Sequence, residues 1–259
     1  MSIDTMAIVH KNAKIGKNVT IGPFSIIGEH VEIGDNSHIA SHCVIDGNTI
    51  IGAGCNVFPG AAIGLITQDL KFKGEKTIVK IGDGTTIREY VTVNGATGEG
   101  TETVIGKNCH IMAYAHIAHN CLVGNQVIIA NVGTLAGCVT IEDQAIIGGL
   151  VAIHQFCKVG RLAIVGGCSK VVQDIPPFMM ADGHPSACRG LNTVGMKRRG
   201  VGEAAQKALR HSFKIFFRAG LNTTQALERI SKEIEPLPEV NHFVEFIRKS
   251  ERGICRQKE

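Results

Sequence analysis

The chain has 259 residues and a formal net charge of +4, from 27 Lys and Arg against 23 Asp and Glu. That surplus is too small to argue for a nucleic-acid partner. No apolar run approaches the roughly 20 residues of a membrane span, and the N-terminus lacks a signal-peptide apolar core, so a soluble, cytoplasmic chain with no stable membrane insertion is expected. Aromatics make up only 5% and Trp is absent, which points to a narrow interior filled by aliphatic side chains.

From Val9 onward every sixth residue is Ile, Val or Leu: Ile15, Ile21, Ile27, Ile33, Ile39, Ile45, Ile51, Val57 and Ile63, then Ile81, Ile87 and Val93, then Ile105 through to Val171. Only Asp69, Glu75 and Glu99 break the series. Period six fits neither a helix nor a long strand, whereas a short repeat sustained over such a length indicates a solenoid. Each repeat supplies a short strand whose aliphatic residue points inward. The residue two positions earlier is small (Ala7, Ala13, Val19, Ser25), and Gly often follows the aliphatic, where it is expected to help the chain turn. Three repeats make a coil of eighteen residues, and coils stack as parallel strands about 4.8 Å apart. Cys43, Cys55, Cys109, Cys121 and Cys157 occupy the small inward slot and read as core residues. With no CxxC pair among nine Cys, neither a disulfide frame nor a metal is expected.

The period lapses at about 64–80 and again at about 94–104, and returns in phase each time. Loops inserted in a rigid solenoid often carry binding residues. Pro176-Pro177 ends the repeat, and Phe178 to Gly195 reads as irregular. Helical periodicity follows. Ala205, Leu209, Phe213 and Phe216 form an apolar stripe before Gly220, Asn222 and Gln225 suggest a capping box, and Pro238 opens a further helix. The domain reading is a solenoid over 1–190 and a C-terminal helical domain over 191–259.

Eighteen residues per coil stacks positions on one another. Ala118, Ala136, His154 and Val172 form one column, and His119, Gly137, Gln155 and Gln173 the next. With His116 and Cys138 they gather at one corner over three coils, where an imidazole is the side chain best suited to accept a proton near neutral pH.

The residues at this corner, Ala115-His-Ile-Ala-His-Asn-Cys121, with His154-Gln-Phe-Cys157, Gly166-Gly-Cys-Ser169 and Gly195-Met-Lys-Arg-Arg-Gly200, resemble the UDP-N-acetylglucosamine O-acyltransferases of lipid A biosynthesis nearly end to end. The resemblance implies an all-β solenoid, a left-handed parallel β-helix of hexapeptide repeats with a C-terminal α-helical domain, assembled as a homotrimer with sites between subunits. It implies transfer of an (R)-3-hydroxyacyl chain from acyl carrier protein to the 3-position of UDP-N-acetylglucosamine, with no cofactor. In that scheme His119 is the general base and the Gly137 amide stabilises the oxyanion. Gln68, Asp69, Lys71, His116, Cys138, His154 and Gln155 contact sugar or acyl chain, Gly167 and Lys170 bear on chain length, and Asn192, Arg198 and Arg199 contact uridine and phosphates. Two departures stand out. Asn120 replaces the Asp that usually orients the base, and Cys138 replaces a His. Both suggest, as an alternative, a 3-amino UDP-sugar acceptor, which needs less help from a base. The three His leave a second alternative, a zinc enzyme of the γ-carbonic anhydrase kind.

Overall fold

The computed structural model describes residues 2–256. Among them the solenoid strands, mostly two residues long, form three parallel sheets that are the faces of a triangular prism. The first face starts at Ser2–Ile3, the second at Ile8–Val9 and the third at Lys14–Ile15, and the chain visits them in that order in every coil. Register follows the six-residue period: Ile21 lies beside Ile39, Ile27 beside Ile45, and Ile33 beside Ile51. These aliphatics are 0–3% exposed and make a single narrow core. Packing them is the main term that holds the prism together, at about 25 cal/mol per Å² of apolar surface removed from water.

The small inward slot has its own chemistry. The Ser25 hydroxyl donates to the Ala40 carbonyl at 2.7 Å and accepts from the Cys43 amide at 3.1 Å. Cys43, Cys55, Cys109 and Cys121 aim their thiols at corner carbonyls of the next coil, 3.0–3.3 Å away. Ser and Cys fit here because a weak or short donor satisfies a carbonyl that water cannot reach. Burial pushes the Cys121 thiol up to about 12 and the Cys157 thiol up to about 11, so these groups stay protonated and inert.

The expected role of the repeat glycines needs correction. The corners turn on a left-handed residue three positions after the inward aliphatic, and that residue is usually not glycine: Asn18, Phe24, Asn36, Tyr114, Asn120 and Cys138 all have φ near +60°. The glycine just after the aliphatic answers a different need. A Cβ on Gly34 would lie 2.6 Å from the Ala53 nitrogen of the next coil, so the coils can approach only where that side chain is missing.

The segment read as irregular is ordered. Met179–Gly183 and Ser186–Leu191 form an antiparallel hairpin, and its first strand extends the first face by pairing with Ile164–Val165. Met179 and Ala181 point inward and Met180 and Asp182 outward, an alternation too short to stand out beside the period of six. Among the described residues four helices follow: α1 (Thr193–Arg198), α2 (Glu203–Arg218), α3 (Thr223–Glu233) and α4 (Pro238–Arg248). The hairpin strand crosses residue 190, so the architecture changes at Asn192. The Asn222–Gln225 capping box is present, and Pro238 stands at the first turn of α4. Phe216 of α2 meets Phe243 of α4 edge to face at 6.0 Å. The helices are tied to the prism by His242, whose Nε2 lies 2.7 Å from the Glu142 carboxylate.

Candidate active site

Both loops leave the prism at the same corner. The first, residues 66–77, joins Ala62–Leu65 of the second face to Ile78–Ile81 of the third. The second, residues 95–101, joins Thr92–Asn94 to Glu102–Ile105 across the same pair of faces. The strands therefore reach further into the expected 64–80 and 94–104 breaks than the lost periodicity suggests. One coil above the second loop, the same corner carries His119 and Asn120. Above these come Gly137 and Cys138, then Gln155 and Phe156. Backbone bonds confirm the stacking: Cys138 donates to the His119 carbonyl at 2.9 Å and Phe156 to the Gly137 carbonyl at 3.2 Å.

The His119 ring lies flat against Gly137, so close that a Cβ there would be 2.1 Å from Nε2. The Gly137 amide donates to no protein acceptor among the described residues, although at Lys107 and Asn125, the corresponding repeat positions on the corner between the third and first faces, the amide donates to an Asx side chain. The site thus pairs an imidazole with a free N–H on a rigid rung.

Asn120 determines which ring nitrogen carries the proton. Its Oδ1 accepts from the Thr97 amide at 2.9 Å while its Nδ2 donates to the Thr97 carbonyl at 3.2 Å. This two-point grip fixes the orientation of the Asn120 amide. Oδ1 also lies 2.9 Å from His119 Nδ1, and an oxygen there requires Nδ1 to be the donor. The lone pair is left on Nε2, in the plane of a ring whose face packs on Gly137. Asn also suits this corner because it tolerates positive φ.

Asp69 of the first loop brings the carboxylate nearest the ring, 3.9 Å from His119 Nε2. The Lys71 amide, bonded to Asp69 Oδ1 at 3.0 Å, holds this carboxyl below its usual range, and His119 adds to the effect. Gln68 and Lys71 are exposed on the same loop. His116 lies on the adjoining second face with Nδ1 2.7 Å from the Thr92 hydroxyl, and its burial lowers its pKa. His154 and Gln155 are exposed one coil above Gly137, with His154 Nδ1 donating to the Gln155 carbonyl at 3.1 Å. Cys138 is half-buried, and burial and then Asp69 raise its thiol, which disfavours a nucleophilic role.

Other expected residues lie elsewhere. Lys170 is on the second face in the row of His116, Thr134 and Ala152. Gly167 sits at the corner between the first and second faces, against Gly149. Asn192, Arg198 and Arg199 belong to the corner between the third and first faces. There Asn192 donates to the Leu162 carbonyl at 2.8 Å and Arg199 to Gln126 Oε1 at 2.7 Å. A single chain does not bring these three to His119. Asn192 is buried and also caps α1, accepting from the Gly195 amide at 2.9 Å.

Sequence reasoning missed Thr97. It acts through its backbone inside a non-periodic loop, and the only available signal was the position of that loop. Thr101 and Thr103 support the arrangement: Thr101 donates to the Thr97 carbonyl at 3.0 Å, and Thr103 Oγ1 accepts from the Asn120 amide at 2.9 Å. The zinc alternative finds no ligand set, since no three His, Cys, Asp or Glu side chains converge among the described residues.

Comparison with known proteins agrees with this geometry. Residues 174–255 match the family described as UDP-N-acetylglucosamine O-acyltransferase, domain 2, and residues 12–47 and 102–133 match bacterial transferase hexapeptide repeats. An acyl-[acyl-carrier-protein]--UDP-N-acetylglucosamine O-acyltransferase from Thermodesulfovibrio yellowstonii is 50% identical over 256 residues, covering 98% of this chain and 99% of that protein. The crystal structure of LpxA, a UDP-N-acetylglucosamine acyltransferase from Bacteroides fragilis, superposes with a TM-score of 0.95 at 42% identity, covering 98% of this chain and 99% of that one. LpxA from Acinetobacter baumannii gives a TM-score of 0.95 at 40% identity over 98% and 99% of the two chains. The fold is the left-handed parallel β-helix of hexapeptide repeats, and the relatives' names, which specify O-acyl transfer, do not favour the 3-amino alternative. With half of its residues identical over nearly the whole of both chains, this chain belongs to the acyl-[acyl-carrier-protein]--UDP-N-acetylglucosamine O-acyltransferase family.

Proposed function

We propose that the chain transfers an (R)-3-hydroxyacyl group from acyl carrier protein to the 3-hydroxyl of UDP-N-acetylglucosamine, the first step of lipid A biosynthesis, as a cytoplasmic homotrimer. The observation that carries this reading is the His119 ring, held with Nδ1–H on Asn120 so that Nε2 keeps its lone pair, with the ring face packed on Gly137. Nε2 takes the proton of the sugar 3-hydroxyl as its oxygen attacks the thioester carbon. General-base help of this kind contributes roughly 10²–10⁴ in rate. The developing oxyanion is received by the Gly137 N–H, a donor already in place that needs no reorganisation. Collapse of the tetrahedral intermediate expels the carrier's thiolate, and His119 returns the proton to it.

Asn120 orients the ring without adding charge, so the nearest carboxylate to the imidazolium is that of Asp69. Gln68, Lys71, His116, Cys138, His154 and Gln155 line the approach of sugar and acyl chain. Lys170 and Gly167 bear on how far the acyl chain extends. Arg198 and Arg199 suit a diphosphate through their planar, forked donors. Their place on another corner supports a site completed by a neighbouring subunit, with Asn192 setting the position of α1.

The test is turnover with a mixed set of acyl carriers and UDP-N-acetylglucosamine, with products identified by mass spectrometry. His119→Ala is expected to lose at least a hundredfold in rate while keeping its fold. A near-native rate in that variant would overturn the assignment of the base.

A further inference from the structure

Two cysteines outside the site meet in the C-terminal region. Cys188 lies in the outer strand of the hairpin and Cys255 in the segment after α4, 67 positions apart, with sulfurs 3.1 Å from each other. Both are buried, at 2% and 0% exposure. The backbones are in register as well, since the Cys188 amide donates to the Cys255 carbonyl at 3.0 Å. The remaining cysteines are inward core thiols in separate repeats or, like Cys138 and Cys168, stand at corners, and none of them has a sulfur contact of this kind among the described residues. The catalytic scheme uses neither Cys188 nor Cys255.

We propose that Cys188 and Cys255 form a reversible redox staple, closing as a disulfide under peroxide and opening again with a thiol reductant. The segment holding Cys255 is fastened to the prism at Asp174. The Asp174 amide donates to the Gly253 carbonyl at 2.8 Å, the Cys255 amide donates to the Asp174 carbonyl at 3.0 Å, and the Ser250 hydroxyl donates to Asp174 Oδ2 at 2.6 Å. Apart from an isolated bridge between Asp174 and Ile254 this short segment belongs to no sheet or helix, so local opening exposes Cys255 while the hairpin strand stays paired. Hydrogen peroxide then converts the Cys255 thiol to a sulfenic acid and releases one water. When the segment closes, the Cys188 sulfur attacks the Cys255 sulfur, the S–O bond breaks, and hydroxide leaves with the Cys188 proton as a second water. The two thiols are oxidised by two electrons and one peroxide is reduced. Cys188 stays buried in the paired hairpin strand when the segment opens, so peroxide reaches Cys255 first and Cys188 serves as the resolving partner.

The staple joins the two ends of the whole helical region. Removing that much chain freedom from the unfolded state raises the thermal midpoint by on the order of 10 °C. The test treats the purified full chain with hydrogen peroxide, blocks free thiols with a maleimide under denaturing conditions, and maps peptides by mass spectrometry without reduction. The expected result is one dominant cross-linked peptide pair, Cys188 with Cys255, that is absent in Cys188→Ser and in Cys255→Ser and is reversed by dithiothreitol, with the rise in midpoint alongside it. Maleimide on both cysteines after oxidation, a different pairing, accumulation of Cys255 sulfinic acid without a cross-link, or an unchanged midpoint in the cross-linked protein would each overturn the proposal.

Discussion

Gly137→Ala isolates the contact on which the proposed chemistry rests. The Gly137 φ lies outside the left-handed region, so alanine brings no backbone strain there, and the whole effect comes from one methyl group. That methyl would sit 2.1 Å from His119 Nε2, 2.3 Å from Cε1 and 2.9 Å from Cδ2. The ring must swing away by more than an ångström, and swinging away breaks the 2.9 Å bond from Nδ1 to Asn120. The displaced group is a side chain with a fifth of its surface exposed, so the cost to the fold stays near the low end of overpacking, about 1 kcal/mol. The cost to catalysis is much larger. Losing an aligned base lowers kcat/KM by about 10²–10³, or about 3–4 kcal/mol of transition-state stabilisation. The assay is single and double substitution with His119→Ala, following acylated sugar nucleotide by mass spectrometry and folding by urea denaturation. Both changes remove the same aligned imidazole, so the double variant should match His119→Ala alone instead of multiplying the losses. A Gly137→Ala enzyme within threefold of wild type, or losses that multiply, would refute the geometry.

Further predictions follow from neighbouring features. Asn120→Ala removes the partner of His119 Nδ1 and strands the Thr97 amide, while the Thr97 carbonyl keeps its bond from Thr101. It should cost about 1–2 kcal/mol in urea unfolding and at least tenfold in kcat/KM, whereas Asn120→Asp keeps an acceptor for Nδ1 and should stay within about tenfold of wild type in steady-state assays. Burial raises the Asp174 pKa above its unfolded value, against the opposing bonds from Ser250 and Lys158. The folded state therefore binds that proton more tightly, and the stability this confers at acid pH is lost as pH rises through the raised pKa. Asp174→Asn does not titrate, so its stability relative to wild type should improve as pH rises from about 4, the unfolded value, through the raised folded value; a pH-independent difference in urea unfolding would refute this. Asn222→Ala removes the side-chain acceptor that caps the Gln225 amide at the start of α3, leaves the reciprocal bond from the 222 amide to Gln225 Oε1, and should cost about 1 kcal/mol in thermal unfolding with turnover unchanged.

The period of six carried most of the fold because each inward Ile or Val is a separate vote for the same phase. The phase returns after both insertions, so Ile81 and Ile105 take their places beside Ile51 and Val123. The same arithmetic put His119 against Gly137 before any coordinates. What stayed hidden depends on contacts without a period. The grip of Thr97 on Asn120 comes from the path of a loop. The hairpin at Met179 shows its alternation over too few residues to register. The glycines were misjudged because close approach between coils and left-handed turns both favour glycine, and only geometry separates the two causes. Arg198 and Arg199 matched the family motif by spacing, but spacing could not reveal which corner of the prism they occupy.

That both insertions emerge where the second and third faces meet divides the molecule's freedom to vary. Gln68 and Lys71, which the proposed scheme turns toward substrate, can change without disturbing the strand that presents the imidazole. The exception is the short stretch around Thr97, where a change of path would alter the protonation pattern of the base itself. Selection for a new acceptor therefore has one permissive loop to work on and one that must keep its course.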